Sequence, residues 1–213
     1  MDGQHLIYFT DPMCSWCYGF SPVIEAVREV WRTPVRVVLG GLRPGTTEAM
    51  TPAARATVRG HWTHVTEASG QSFGVGAFDQ DGFVYDSDPA ARAVVLARRS
   101  GRALDYLRAV HLAFYAEGRD VTAWRVLADV AHEIGLDRPA FLAALEGEDL
   151  KQETWGDYAI SRGAGVTGFP TLIAGPRADG TYIALTRGFQ SARDLMPVIA
   201  QWVATVAVAE VDG

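Results

Sequence analysis

Residues 11–20 read Asp11-Pro12-Met13-Cys14-Ser15-Trp16-Cys17-Tyr18-Gly19-Phe20, directly behind the apolar run Leu6-Ile7-Tyr8-Phe9. Cys14 and Cys17 are the chain's two cysteines. If the run is a buried strand and the residues after Cys14 open a helix, Cys14 sits where unpaired amide N–H groups and the positive end of the helix dipole converge. That position stabilises a thiolate, and Cys17, one helical turn on, can close a disulfide with it. The spacing therefore points to reversible dithiol–disulfide exchange. A structural zinc site would need four ligands, and beyond the cysteines only His61-Trp-Thr-His64 has a remotely ligand-like spacing, so no metal is expected. A static disulfide closing so short a loop would constrain little of the unfolded chain.

Outward from this stretch, Val35 to Leu39 forms a second near-continuous apolar run, and Val23, Ile24, Val27, Val30 and Trp31 repeat at helical spacing between the two. This is a βαβ unit. Pro22 lacks an amide donor, so a kink or a fresh helix start is expected at Ser21-Pro22. Near the other end, Thr171–Ala174 and Thr181–Leu185 flank the turn-forming Gly175–Gly180 and read as a hairpin. Ser191 with Asp194 resembles a capping box, followed by the apolar stripe Leu195, Val198, Ile199, Trp202 and Val206, interrupted by Pro197.

The intervening residues carry helical patterns at 51–69, at 88–100 with Asp88 as cap, at 103–117, at 122–134 ending on Gly135, at 139–146 and at 150–162. Residues 72–85 read as a loop, and Asp79-Gln-Asp81-Gly within it as a turn rather than a calcium site. The expected class is α/β, with residues 1–50 and 163–213 forming one domain split by a helical insertion at 51–162. His61 and His64 are expected as surface or packing residues, His111 and His132 in structural positions, and Arg98, Arg99 and Arg102 at a solvated helix end.

Composition fits a folded protein that lacks a nucleic-acid partner. The chain has 213 residues, 48% of them apolar, and a net charge of −6 with no basic stripe to neutralise phosphates. No secretory signal or bilayer-length apolar run is evident, so a cytoplasmic protein with no membrane partner is expected.

Taken in order, the strand, the Cys-x-x-Cys, Pro22 five residues later, the helical insertion and Gly165-Val-Thr-Gly-Phe-Pro170-Thr before a hairpin resemble the thioredoxin superfamily. The DsbA-like branch is the most similar, in particular the cytoplasmic predicted protein-disulfide isomerases related to FrnE-like proteins. The resemblance implies a thioredoxin-like fold of βαβ and ββα halves with a large helical insertion. It also implies a cis Pro170 facing the cysteine pair. Catalytic roles are then expected for Cys14, Cys17 and Pro170, with substrate contacts from Ser15, Trp16, Gly168 and Phe169. Cys14 would attack and the more buried Cys17 would resolve.

Periplasmic DsbA oxidants carry a histidine between the cysteines, whereas Ser15 offers only a hydroxyl, so strong oxidant behaviour is not expected. The anticipated activity is protein disulfide reduction or isomerisation, with no bound cofactor and glutathione as a candidate co-substrate. Substrates would be protein disulfides or small thiols, and oligomeric state is left open. The alternatives are a glutathione-dependent transferase or isomerase of the kappa type, which has no obvious use for Cys17, and a non-catalytic redox-sensing or chaperone module whose helical insertion binds partners.

Overall fold

The computed structural model describes residues 5–30, 35–177 and 179–209, the last five as backbone. Strand β1 (His5–Thr10) leads into α1 (Ser15–Val30) and back to β2 (Val35–Leu39), which pairs parallel with β1. Six helices follow before the chain returns to the sheet: α2 (Pro52–Ser69), α3 (Asp88–Arg99), α4 (Ala103–His111), α5 (Trp124–Glu133), α6 (Arg138–Ala144) and α7 (Glu148–Gly163). Strands β3 (Thr171–Gly175) and β4 (Ile183–Arg187) and helix α8 (Ala192–Ala209) complete the order. The sheet runs β2-β1-β3-β4, with β3 antiparallel to both neighbours. The βαβ and ββα halves with a helical segment between them are thus as expected. Trp31 lies outside the described residues, as does the side chain of Val206.

Several elements differ locally from the sequence reading. Helix α1 continues through Pro22 instead of restarting there, and the Ser21 hydroxyl oxygen lies 3.3 Å from the Cys17 carbonyl. Asp88 is not the cap of α3. Ser87 holds that position, while the Asp88 carboxylate pairs with Arg92 and accepts from Trp155 and Tyr158 on α7. The helix expected at 103–117 ends as an α-helix at His111 and passes into a π turn, Leu112–Ala116, with Glu117 N–H donating to Leu112 C=O at 3.0 Å. Helix α5 starts two residues late because Thr122 is used in a side-chain turn on Asp120. Similarly, β4 begins at Ile183 because Asp179 takes both the amide and the hydroxyl of Thr181 into its turn.

The arginine cluster is also a correction. Arg98 does not cap a solvated helix end: it pairs with Asp157 at 2.7 Å and Glu153 at 3.0 Å, and donates to the Val37 carbonyl at 3.1 Å. Asp157 in turn accepts the Leu39 amide at 3.0 Å. Outward-facing backbone groups of the edge strand β2 are therefore satisfied by side chains of α3 and α7, which blocks that edge to other strands. An aromatic wall joins α1 to the helical segment, with Tyr18 stacked on Tyr115 at 5.0 Å and Trp62 on Phe73 at 4.8 Å.

Replacing Asp157 with Ala leaves the Leu39 amide without its acceptor and the Arg98 guanidinium with Glu153 as its remaining carboxylate, a change expected to cost about 2 kcal/mol. Removal of the exposed Arg193 side chain should change stability by less than about 0.5 kcal/mol. Denaturant unfolding of both variants checks the contrast, and equal effects would refute a structural role for the Asp157 contact.

Candidate active site

The site is assembled on the loop between β1 and α1. Tyr18 N–H donates to the Cys14 carbonyl at 3.0 Å, which is the first bond of α1, so Cys14 occupies the cap position. The amides of Ser15, Trp16 and Cys17 thus fall in the first turn, where intrahelical acceptors are lacking and the dipole favours negative charge. Both cysteines are free thiols. Cys14 retains 7% of its surface, while Cys17 retains none, so one thiol stands at the rim and the other beneath it. Burial raises the pKa of the Cys17 thiol well above its ordinary value, and the neighbouring Cys14 adds to this.

The loop before β3 closes over the pair. The Phe169–Pro170 bond is cis, as the resemblance implies, and the Phe169 carbonyl lies 3.8 Å from Cys14 Sγ. Gly175–Pro176 is cis as well, which the sequence reading did not anticipate. Thr171 Oγ1 donates to Gly168 C=O at 2.8 Å, and the Gly188 amide donates to Pro170 C=O at 2.7 Å, so the loop is tied to both strands of the hairpin. Pro170 is buried, Phe169 half-buried and Gly168 exposed; Ser15 and Trp16 are half-buried. The two aromatics turn to different neighbours: Trp16 packs on Phe189 at 5.6 Å, whereas the Phe169 ring lies where a side chain at Gly40 would be, 1.8 Å from an ideal Cβ there. Gly40 is thus required for the ring to seat.

Beneath the thiols lies Asp11, which is fully buried. Its carboxylate accepts from Met13 N–H at 2.9 Å and Leu42 N–H at 2.8 Å. Its carbonyl accepts from Cys14 N–H at 3.1 Å and lies 3.3 Å from His111 Nε2. A carbonyl can only accept, so Nε2 carries the proton and Nδ1 accepts from the Ser21 hydroxyl at 3.2 Å. Burial lowers the His111 pKa to about 4, against the pull of the Asp11 carbonyl. Burial also raises the Asp11 carboxyl to about 6, although the Leu42 and Met13 amides oppose it. From the helical segment, Tyr85 donates to the Met13 carbonyl at 2.6 Å and carries Arg43 over its ring at 5.1 Å.

All the expected site residues therefore gather at one place, around Cys14. Sequence reasoning missed the clamp formed by Asp11, His111 and Tyr85, and also Phe189. Asp11 stood in the quoted motif, where a carboxylate just before a helix reads as a cap; nothing in the pattern marked the other three. Among the described residues, no group of three or more His, Cys, Asp or Glu is arranged to hold a metal, and His61 and His64 are exposed. No described helix is long and apolar enough to cross a membrane.

A strand, a helix opened by a Cys-x-x-Cys and a cis-proline loop facing the first cysteine define a thioredoxin-fold protein. Residues 5–186 match the model of the DSBA-like thioredoxin domain, and the chain belongs to that family of oxidoreductases. None of the curated proteins compared matches the sequence. Among solved structures, it is similar to a candidate protein disulfide isomerase from Nitrosomonas europaea, at 29% identity and a TM-score of 0.85 over 96% of this chain and 99% of the other. It is likewise similar to the cytosolic disulfide reductase DsbM from Pseudomonas aeruginosa, at 29% identity and a TM-score of 0.79 over 94% and 99%. DsbM is also known in a structure with GSH. 2-Hydroxychromene-2-carboxylate isomerase shares the fold at 13% identity, with a TM-score of 0.66 over 98% of both chains.

The clamp has a pH signature. Unfolded His111 titrates near 6.5 and the folded residue near 4, so its contribution to stability falls as pH drops through that window. Asp11 has the opposite sign: its folded pKa lies above the unfolded value of 3.8, so its contribution falls as pH rises from about 4 to 6. The two slopes oppose one another. Asp11→Asn removes one of them, and the variant should lose about 1.4 kcal/mol per pH unit more than the parent between pH 6 and 4. Parallel stability–pH curves from denaturant titrations would refute the assignment.

Proposed function

We propose that the protein is a thiol–disulfide oxidoreductase that reduces or isomerises protein disulfides through Cys14 and Cys17, with glutathione as a co-substrate. The observation that carries this reading is the stacking of the two thiols at the helix start: one at the rim beside the Phe169 carbonyl, the other buried directly behind it. In the proposed cycle the Cys14 thiolate attacks a substrate disulfide, forming a mixed disulfide and releasing the first substrate thiol. Cys17 then attacks the Cys14 sulfur, so the second substrate thiol leaves and the enzyme is oxidised to its own disulfide. Two molecules of glutathione return the pair to the dithiol and become glutathione disulfide.

Gly168, Phe169 and Pro170 supply the backbone edge along which an extended peptide would lie, and Pro170 places no amide against the sulfur. Ser15 and Trp16 form the opposing wall. A location in the cytoplasm accords with this reducing direction and with the similarity to DsbM. In the kappa-type alternative, Cys17 would be idle; its burial against Cys14 favours the dithiol reading. The helices between β2 and β3, residues 51–162, are proposed as the insertion domain of a thioredoxin-like domain made of residues 1–50 and 163–213.

Cys14→Ser should abolish reduction of an insulin-type disulfide substrate. Cys17→Ser should retain the first attack and accumulate mixed disulfides, detectable by mass spectrometry and reversed by dithiothreitol. Equilibration of the parent with glutathione buffers should give a potential between about −180 and −270 mV, below the roughly −120 mV of DsbA. Mixed disulfides forming on Cys17 in a Cys14→Ser protein as fast as on Cys14 would overturn the assignment.

A further inference from the structure

Tyr8 and Thr10 alternate with Phe9 on β1 and so share one face of the strand, the face that packs on α1, where the Tyr8 ring meets Phe20 at 5.8 Å. Both side chains have no exposed surface. Neither hydroxyl makes a hydrogen bond in the structure, although buried hydroxyls are nearly always bonded. Their shared polar neighbour is Cys17. The Thr10 hydroxyl acts to lower the Cys17 pKa against the burial that raises it. Burial foremost, with Cys17 next and the Thr10 hydroxyl opposing, holds the Tyr8 phenol well above its ordinary pKa, so it stays protonated and can donate. Two buried hydroxyls without a hydrogen bond of normal length thus adjoin a thiol that must become an anion in order to react.

We infer that the Tyr8 and Thr10 hydroxyls are catalytic groups of the resolving step, donating to the Cys17 sulfur as its charge develops. This inference rests on the dithiol cycle proposed above. While Cys17 is a neutral thiol the hydroxyls lack a good acceptor. As the thiolate forms they gain one, so the interaction is stronger in the reacting state than in the resting state and accelerates the step. The reaction balances as follows: the Cys17 sulfur supplies the electron pair for the new Cys14–Cys17 bond, the bond between Cys14 and the substrate sulfur breaks, and the departing sulfur takes up the proton that Cys17 gave. The substrate disulfide is reduced by two electrons and the enzyme dithiol oxidised by two. Both hydroxyls remain protonated throughout.

The test uses the full chain and an aryl disulfide, dithiobis-nitrobenzoate, whose two thiols are released in sequence: the first on attack by Cys14, the second on attack by Cys17. Thr10→Val and Tyr8→Phe keep the shape and remove the hydroxyl. Each should leave the first release unchanged and slow the second about 10-fold or more. Thr10→Ser should restore the parent rate. Loss of an unbonded buried hydroxyl should not lower the melting temperature of the reduced protein, which separates this role from a structural one. Parent rates of second release in both Thr10→Val and Tyr8→Phe would overturn the inference, as would equal slowing of both releases with a lowered melting temperature. Cys17→Ser serves as the control: if the second thiol still leaves at the parent rate, it is the dithiol reading that fails, not the part assigned to the hydroxyls.

Discussion

The arrangement depends on one buried carboxylate. Asp11 reaches Met13 and Leu42 through its side chain, and Cys14 and His111 meet its carbonyl, so a single residue fixes the loop that presents the thiol, the segment after β2 and the end of α4. Burying a carboxylate without partners is strongly unfavourable. Two amide donors offset much of that penalty, and they are found only when β1 and β2 are paired in register and the chain turns at Leu42. The clamp is thus both a condition for the site and a check on the fold around it.

The helices between β2 and β3 are part of this machinery. Arg98 and Asp157 cover the edge of β2, Tyr85 holds Met13 from one side, and His111 holds Asp11 from the other. His111 ends α4 at the point where the chain widens into a π turn, a geometry common near functional sites. Phe114 and Tyr115 lie within that turn, and both are buried there. Gly40 plays the matching part on the opposite side, leaving room for the Phe169 ring.

Much of this was legible in the sequence because the signals were local. The apolar runs before Cys14 and at Val35 to Leu39 marked strands, Thr51 and Ser191 marked helix starts, and the cysteine pair marked the start of α1. Thr51 does accept from Ala54 N–H, and Ser191 and Asp194 do bond to one another. What was illegible depended on partners far along the chain. Asp88 has the local look of a cap, yet its partners on α7 lie about seventy residues away. Arg98 has the look of a helix-end cation for the same reason. Tyr8 and Thr10 read as an ordinary strand face, and only burial without hydrogen bonds sets them apart.

The strand order also dictates how the molecule comes into being. β1 lies between β2 and β3, and Cys14 is separated from the Phe169 carbonyl that faces it by 155 residues. A ribosome delivers the cysteine pair well before the loop that closes over it. Until β3 emerges, the nascent chain carries an uncovered dithiol beside a strand whose inner edge is open to any other extended segment. The helices made in the interval rest largely on near-neighbour contacts and can form early. Closure of the sheet by β3 is therefore the event that turns an exposed thiol pair into a shielded one.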